Sequence, residues 1–144
     1  MPIFIDDLKS LALVGALKTS GIYIALIIVM AIVLTAFVIL QRRSKLIGIG
    51  DGGDKTVARM IRVHGNFTEN APYAMALLIL LPMLGAGSTI IHIVGGLFLI
   101  GRIGHAYGLS QSAGSSLGRV GGMVLTFTSL LIGAGALLLA AFSR

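Results

Sequence analysis

The chain has 144 residues, of which 56% are hydrophobic and 11% charged, and its mean hydropathy is +1.01. That composition excludes an ordinary soluble domain, and the absence of cysteine excludes disulfides, cysteine-ligated metal centres and a cysteine nucleophile. The net charge of +6 does not point to nucleic acid, because the basic residues flank apolar stretches, as the positive-inside bias of membrane proteins produces.

Residues 1–18 hold Asp6, Asp7, Lys9 and Lys18. Two aspartates stand where a secretory signal would be basic, so this stretch reads as an N-terminal extension lying at the membrane interface. Residues 21–40 are 20 residues without a charge and end at Gln41-Arg42-Arg43-Ser44-Lys45. A hydrocarbon core of about 30 Å needs roughly 20 such residues of helix, so this is a membrane span. Residues 46–55, LIGIGDGGDK, combine four glycines with two aspartates and predict a loop on the membrane face that the basic cluster marks.

A second helix starts near Thr56, but its uninterrupted apolar part, 71–84, has only 14 residues and includes Pro72 and Pro82. Fourteen residues do not cross a bilayer, so the helix must use preceding turns that carry Arg59, Arg62, His64, Asn66, Glu69 and Asn70. A third helix begins apolar at Thr89 and ends polar with Arg102 and His105. The fourth span, 120–142, has 23 residues without a charge and starts just after Arg119. The reading is an all-α integral membrane four-helix bundle, with helices at about 20–41, 56–84, 89–109 and 119–142 and one membrane domain over 19–144.

Eight of the eleven Lys and Arg fall within 42–62 and 102–119, which consecutive crossings bring to one side. The positive-inside bias makes that side cytoplasmic and leaves both termini outside. At 100° per residue, Arg59, Arg62, Asn66, Glu69, Asn70 and Tyr73 share a stripe about 100° wide, whereas His64 points about 140° from Arg59. Charges at membrane depth need partners or a water-filled cavity, and such groups are functional more often than not; their structural role would be pairing between helices. For Arg42, Arg43 and Lys45 the blander role, setting topology beside anionic lipid, weighs more. His105 fits a ligand contact and a plain helix-end position equally well.

Three pattern matches carry little. Gly48-Ile-Gly50-Asp51-Gly52-Gly53 satisfies the dinucleotide fingerprint but follows a hydrophobic span, and its aspartates would repel a pyrophosphate. Asn66-Phe67-Thr68 is a glycosylation sequon on the predicted cytoplasmic side. Gly104 with Gly108, and Gly118 with Gly122, have the spacing of close helix packing in a chain with 20 glycines.

The run Arg62-Val-His64-Gly-Asn66-Phe-Thr-Glu69-Asn70-Ala-Pro72 resembles the hallmark segment of the MAPEG family, membrane-associated proteins in eicosanoid and glutathione metabolism. Arg42-Arg43, the loop IGDGGDK and Arg102-Ile-Gly-His105-Ala-Tyr107-Gly108 resemble its bacterial branch, and the likeness covers about residues 21–142. The resemblance implies a homotrimer in a bacterial inner membrane, with glutathione as co-substrate held between subunits near the cytoplasmic face. It implies that Arg62 and Arg42 or Arg43 meet the peptide's carboxylates, and that Asn66, Glu69 and His64 meet its polar backbone and amino group. Asn70, Arg102 and His105 complete the candidate ligand set, with no metal site. Arg119 is similar in placement to the family's catalytic arginine, and Ser112, Ser115 or Ser116 are alternative donors to the thiol. Where the eukaryotic enzymes carry tyrosines, this chain has Asn70, His105 and Leu109. Two functions follow: a glutathione-dependent transferase or peroxidase acting on lipophilic electrophiles, or a non-catalytic trimer that binds lipid headgroups or another small anion.

Overall fold

The computed structural model describes residues 2–112 and 114–142, with side chains from residue 7 onward. Four helices follow one another: α1 (Pro2–Ser44), α2 (Lys55–Met83), α3 (Ser88–Gln111) and α4 (Leu117–Phe142). The ends of α2, α3 and α4 fall within two residues of the positions expected from sequence. Three of the helices, α1, α3 and α4, are long and apolar enough to cross a membrane. The fourth, α2, has the length but carries the polar half; it packs against all three others, which partly covers His64, Asn66 and Asn70 and leaves Arg62 and Glu69 exposed.

The clearest departure lies in α1. Among the described residues no break separates 2–18 from the span; one helix of 43 residues, about 65 Å at 1.5 Å per residue, begins at Pro2. Proline is tolerated at a first helical position, and no later proline interrupts the hydrogen-bond ladder. The early turns also have something to pack on. Ala16 and Ser20 are buried, and Lys9, Ala12 and Leu13 stand over a cavity against Pro82, Met83 and 85–87 of the α2–α3 turn.

Phe67, Leu78, Leu81, Ile91, Val94 and Phe98 are fully buried in the seam between α2 and α3 and form the centre of the core, with Ile27 and Leu34 added from α1. Two hydrogen bonds pin α1 to this centre: Tyr23 OH to His92 Nδ1 at 3.0 Å, and Thr35 Oγ1 to His64 Nε2 at 3.0 Å. Outside the core, α1 and α4 turn rows of leucine, isoleucine, valine and phenylalanine outward, the surface expected of helices that face lipid.

The closest packing joins α3 to α4. A Cβ on Gly122 would stand 2.5 Å from the carbonyl oxygen of Gly101 and from the amide of His105, and one on Gly108 would stand 2.5 Å from the amide of Arg119. The glycine spacings in 104–108 and 118–122 therefore mark helices whose backbones touch. Ser129 Oγ adds a bond to the Val94 carbonyl at 2.7 Å across the same interface.

At the basic end, Asp54 caps α2: its Oδ1 accepts from the amides of Thr56 at 2.8 Å and Val57 at 3.0 Å. Those amide bonds, with Lys45 at 3.4 Å, hold its carboxyl below the usual carboxylate range. The loop before it turns through Gly52 and Gly53 at positive φ and returns Gly50 to Arg42, whose Nε donates to the Gly50 carbonyl at 3.0 Å.

Two measurements follow from this packing. Thermal unfolding in detergent should show Gly122→Ala destabilised by about 1–3 kcal/mol, because the methyl meets backbone that has no room to yield, while Gly121→Ala, with nothing within 4 Å, stays near wild type. For Asp54 the folded-state value is depressed, so its stabilisation is present above the unfolded carboxylate value of about 3.9 and is lost as pH falls through the folded value. The melting difference between wild type and Asp54→Ala should therefore be full near neutral pH and close in acid.

Candidate functional site

The end of α1, the start of α2, the end of α3 and the start of α4 meet at one end of the bundle: Arg42 and Arg62 border one cleft, Arg62, Leu109 and Arg119 border another, and His105 bonds to the Arg119 carbonyl. Here α2 presents Lys55, Arg59 and Arg62 along one face. Arg119 joins them from the first turn of α4, which Ser116 caps by accepting from the Arg119 amide at 3.3 Å. A cation at a helix N-terminus opposes the helix dipole, so its placement there adds to the positive potential of the cleft. The cleft itself has a volume of about 330 Å³ and is lined by Lys55, Ala58, Arg59, Arg62, Leu109 and Arg119.

Arg62 also forms the wall of a second cleft, about 430 Å³, with Arg42, Gly50, Asp51, Ala58, Ile61 and Gly65. Its guanidinium bonds to Glu69, with Nη1 to Oε1 at 2.8 Å and Nη2 to Oε2 at 3.3 Å. Both side chains are more than half exposed on the single chain, 58% and 53%. This pair spans two turns of α2 on the face that also carries Asn66 and Tyr73. Further along the same α2–α4 seam lies an apolar groove of about 610 Å³ bordered by Tyr73, Leu77, Phe127 and Leu130.

Behind the stripe lies a buried polar centre. Arg102 is 0% exposed, and its Nη2 donates to Asn66 Oδ1 at 2.6 Å. Its Nη1 lies 3.5 Å from Thr126 Oγ1 and from Met123 Sδ, while Thr126 donates onward to the Gly122 carbonyl at 2.8 Å. One guanidinium thus ties α2, α3 and α4 together. His105, one turn on, bonds through Nδ1 to the Arg119 carbonyl at 3.1 Å. A carbonyl only accepts, so Nδ1 carries the proton, and His105 holds the first turn of α4 in place.

The sequence-derived candidates therefore divide. Arg62, Asn66 and Glu69 share one face of α2, and Arg119 and Arg42 reach the two clefts on either side of Arg62. Arg102 and His105 are buried inside the bundle and bond to protein groups. His64 turns to Thr35 on α1, the direction that the helical wheel gave and not the one that the resemblance implied. Asn70 donates back to the Asn66 carbonyl at 2.8 Å, and Arg43 is exposed at the end of α1. Ser112 and Ser116 bond within the loop and the helix cap. Lys55 was missed, although its position four residues before Arg59 puts it on the same stripe; placing the helix start at Thr56 left it out.

The MAPEG family model matches residues 20–139. Among curated proteins, the chain is 32% identical over 113 residues to the inner membrane protein YecN of Escherichia coli strain K12, a match that covers 78% of this chain and 85% of that protein. YecN of Escherichia coli O6:H1 strain CFT073 matches to the same extent.

Removing Asn66 should expose the cost of the buried guanidinium. Asn66→Ala is expected to lose about 2–3 kcal/mol in detergent unfolding, since a charged donor loses its bond in a buried site. Glu69→Ala, which breaks an exposed pair, should lose less than about 1 kcal/mol.

Proposed function

The chain belongs to the MAPEG family of membrane proteins, and from that premise we propose that it is a glutathione-dependent transferase or peroxidase acting on lipophilic electrophiles. One observation carries the reading: Lys55, Arg59, Arg62 and Arg119 converge on a cleft at one end of a membrane bundle. The carboxylate that shares the face, Glu69, is bonded to Arg62. Such a cleft favours a small ligand with more negative than positive charge.

Glutathione has that chemistry, with two carboxylates, one ammonium and a thiol. A carboxylate meets Arg62 and releases Glu69, which then meets the ammonium. The cations of the cleft, Arg119 foremost, favour the thiolate over the thiol, whose proton passes to water. In the transferase reaction the sulfur attacks an electrophilic carbon of a molecule that arrives from the bilayer; the carbon–sulfur bond forms as the carbon's bond to its leaving group breaks, and the leaving group departs with the electron pair and takes a proton from water. In the peroxidase reaction the sulfur attacks a peroxide oxygen, the O–O bond breaks to release an alcohol, and a second glutathione thiol displaces water from the oxidised sulfur to give the disulfide. The neighbouring apolar groove gives a lipophilic molecule a surface beside the cleft.

We further propose a homotrimer in a bacterial inner membrane with both termini outside the cytoplasm. Support for assembly comes from the exposed stripe, since Arg62, Glu69 and Tyr73 on a single chain would meet lipid unless another copy covers them. The orientation rests on the basic end of the bundle facing the cytoplasm.

Calorimetry in detergent tests the ligand. Wild type should bind glutathione, and Arg62→Ala should bind at least about tenfold more weakly, the effect of one lost charge-assisted contact. No binding by wild type, or equal binding by the variant, removes the reading; phospholipid retained in native mass spectrometry without glutathione would favour a lipid-binding trimer. Arg119→Ala should keep most of the affinity but lower the thiolate fraction of bound glutathione by about tenfold, one pKa unit, as read from thiolate ultraviolet absorbance.

A further inference from the structure

We propose that Arg102 is a positioning residue: it fixes the side-chain amide of Asn66 so that the Nδ2 hydrogens face the ligand side of α2. The inference rests on reading that face as the binding face, and it assigns to Arg102 a role other than ligand contact.

A guanidinium only donates, so the Asn66 atom 2.6 Å from Arg102 Nη2 must be the carbonyl oxygen. The amide is planar and two-sided, and with Oδ1 held inward its nitrogen points the other way. Among the described residues no group accepts from that nitrogen, while Asn66 is only partly buried and lies on the stripe with Arg62 and Glu69. Arg102 itself is fully buried, and its Nη1 is directed at Thr126 and Met123 of α4, away from the clefts. A side chain at 102 without a hydrogen-bond donor would leave the asparagine free to flip and present an acceptor to an anion. With Arg102 in place the face offers a donor pair beside Arg62, suited to a carboxylate.

The chain has two asparagines, Asn66 and Asn70, and the second supplies an internal reference because its Nδ2 is bonded to the Asn66 carbonyl. In full-length protein labelled with 15N-asparagine in detergent, the Nδ2 protons of Asn66 should exchange with water faster than those of Asn70. Equal or slower exchange would overturn the proposal, and the measurement needs no ligand. Glutathione binding by three variants then separates orientation from charge. Arg102→Lys and Arg102→Gln both keep a donor for Oδ1 and should bind within about threefold of wild type. Arg102→Met removes the donor yet fills the space with an apolar chain, and should bind at least about tenfold more weakly while melting within a few degrees of wild type. If Gln and Met weaken binding equally while Lys preserves it, Arg102 acts through its charge and the proposal fails; Met binding like wild type also sinks it. Absence of binding by wild type strikes the functional reading alone, since the exchange experiment still decides how Asn66 is held.

Discussion

A cation with no exposed surface sits inside a bundle built for lipid, and the arrangement of three helices follows from it. Arg102 is fully buried, where an unpaired guanidinium is costly. It is tolerated because α2 brings Asn66 to 2.6 Å and α4 brings Thr126 and Met123 within 3.5 Å. That proximity in turn requires α3 and α4 to touch through Gly101, Gly108, Gly118 and Gly122, since a side chain at these positions would hold the helices apart. The glycines and the arginine are two parts of one solution.

The candidate site is a consequence of this centre. Fixing Asn66 sets the rotation of α2, which turns Arg62, Glu69 and Tyr73 outward and Phe67 and Val63 inward. His105 holds the Arg119 carbonyl, and the close approach of Gly108 to the Arg119 amide places the first turn of α4 beside α2. Four cations then line one cleft, Arg62 among them paired with Glu69. Arg102 and His105 of α3 act on the cleft through the neighbours they hold, while residues of α2 and α4, with Leu109 of α3, form its walls.

Much of the bundle was legible because the bilayer imposes a length on apolar helices. Spans of 20 and 23 uncharged residues, and one apolar run too short to cross, located three helices and the polar stripe of the second. The stripe itself was legible because helical periodicity is independent of neighbours. Periodicity also assigned His64 to a different face, and it bonds Thr35 there. The unbroken start of α1 was not legible, since charges at Asp6, Asp7 and Lys9 resemble an interfacial segment and nothing local shows that Ala16 and Ser20 will be buried or that Ala12 and Leu13 will stand against the α2–α3 turn.

What the sequence determined by itself was membrane residence, four helices, the end of the bundle at which charge collects and the face of α2 that carries Arg59, Arg62, Asn66 and Glu69. Each of these depends on composition or on the repeat of a single helix. The tertiary structure decided which polar residues face inward. Arg102 and His105 read the same as Arg62 in one dimension, as polar residues near a helix end, and only the approach of α4 through its glycines buries them. Burial and partner identity depend on residues distant in sequence, such as Asn66 and Arg102, 36 positions apart, so the division between polar residues that line the clefts and polar residues buried behind them appears only in the packed bundle.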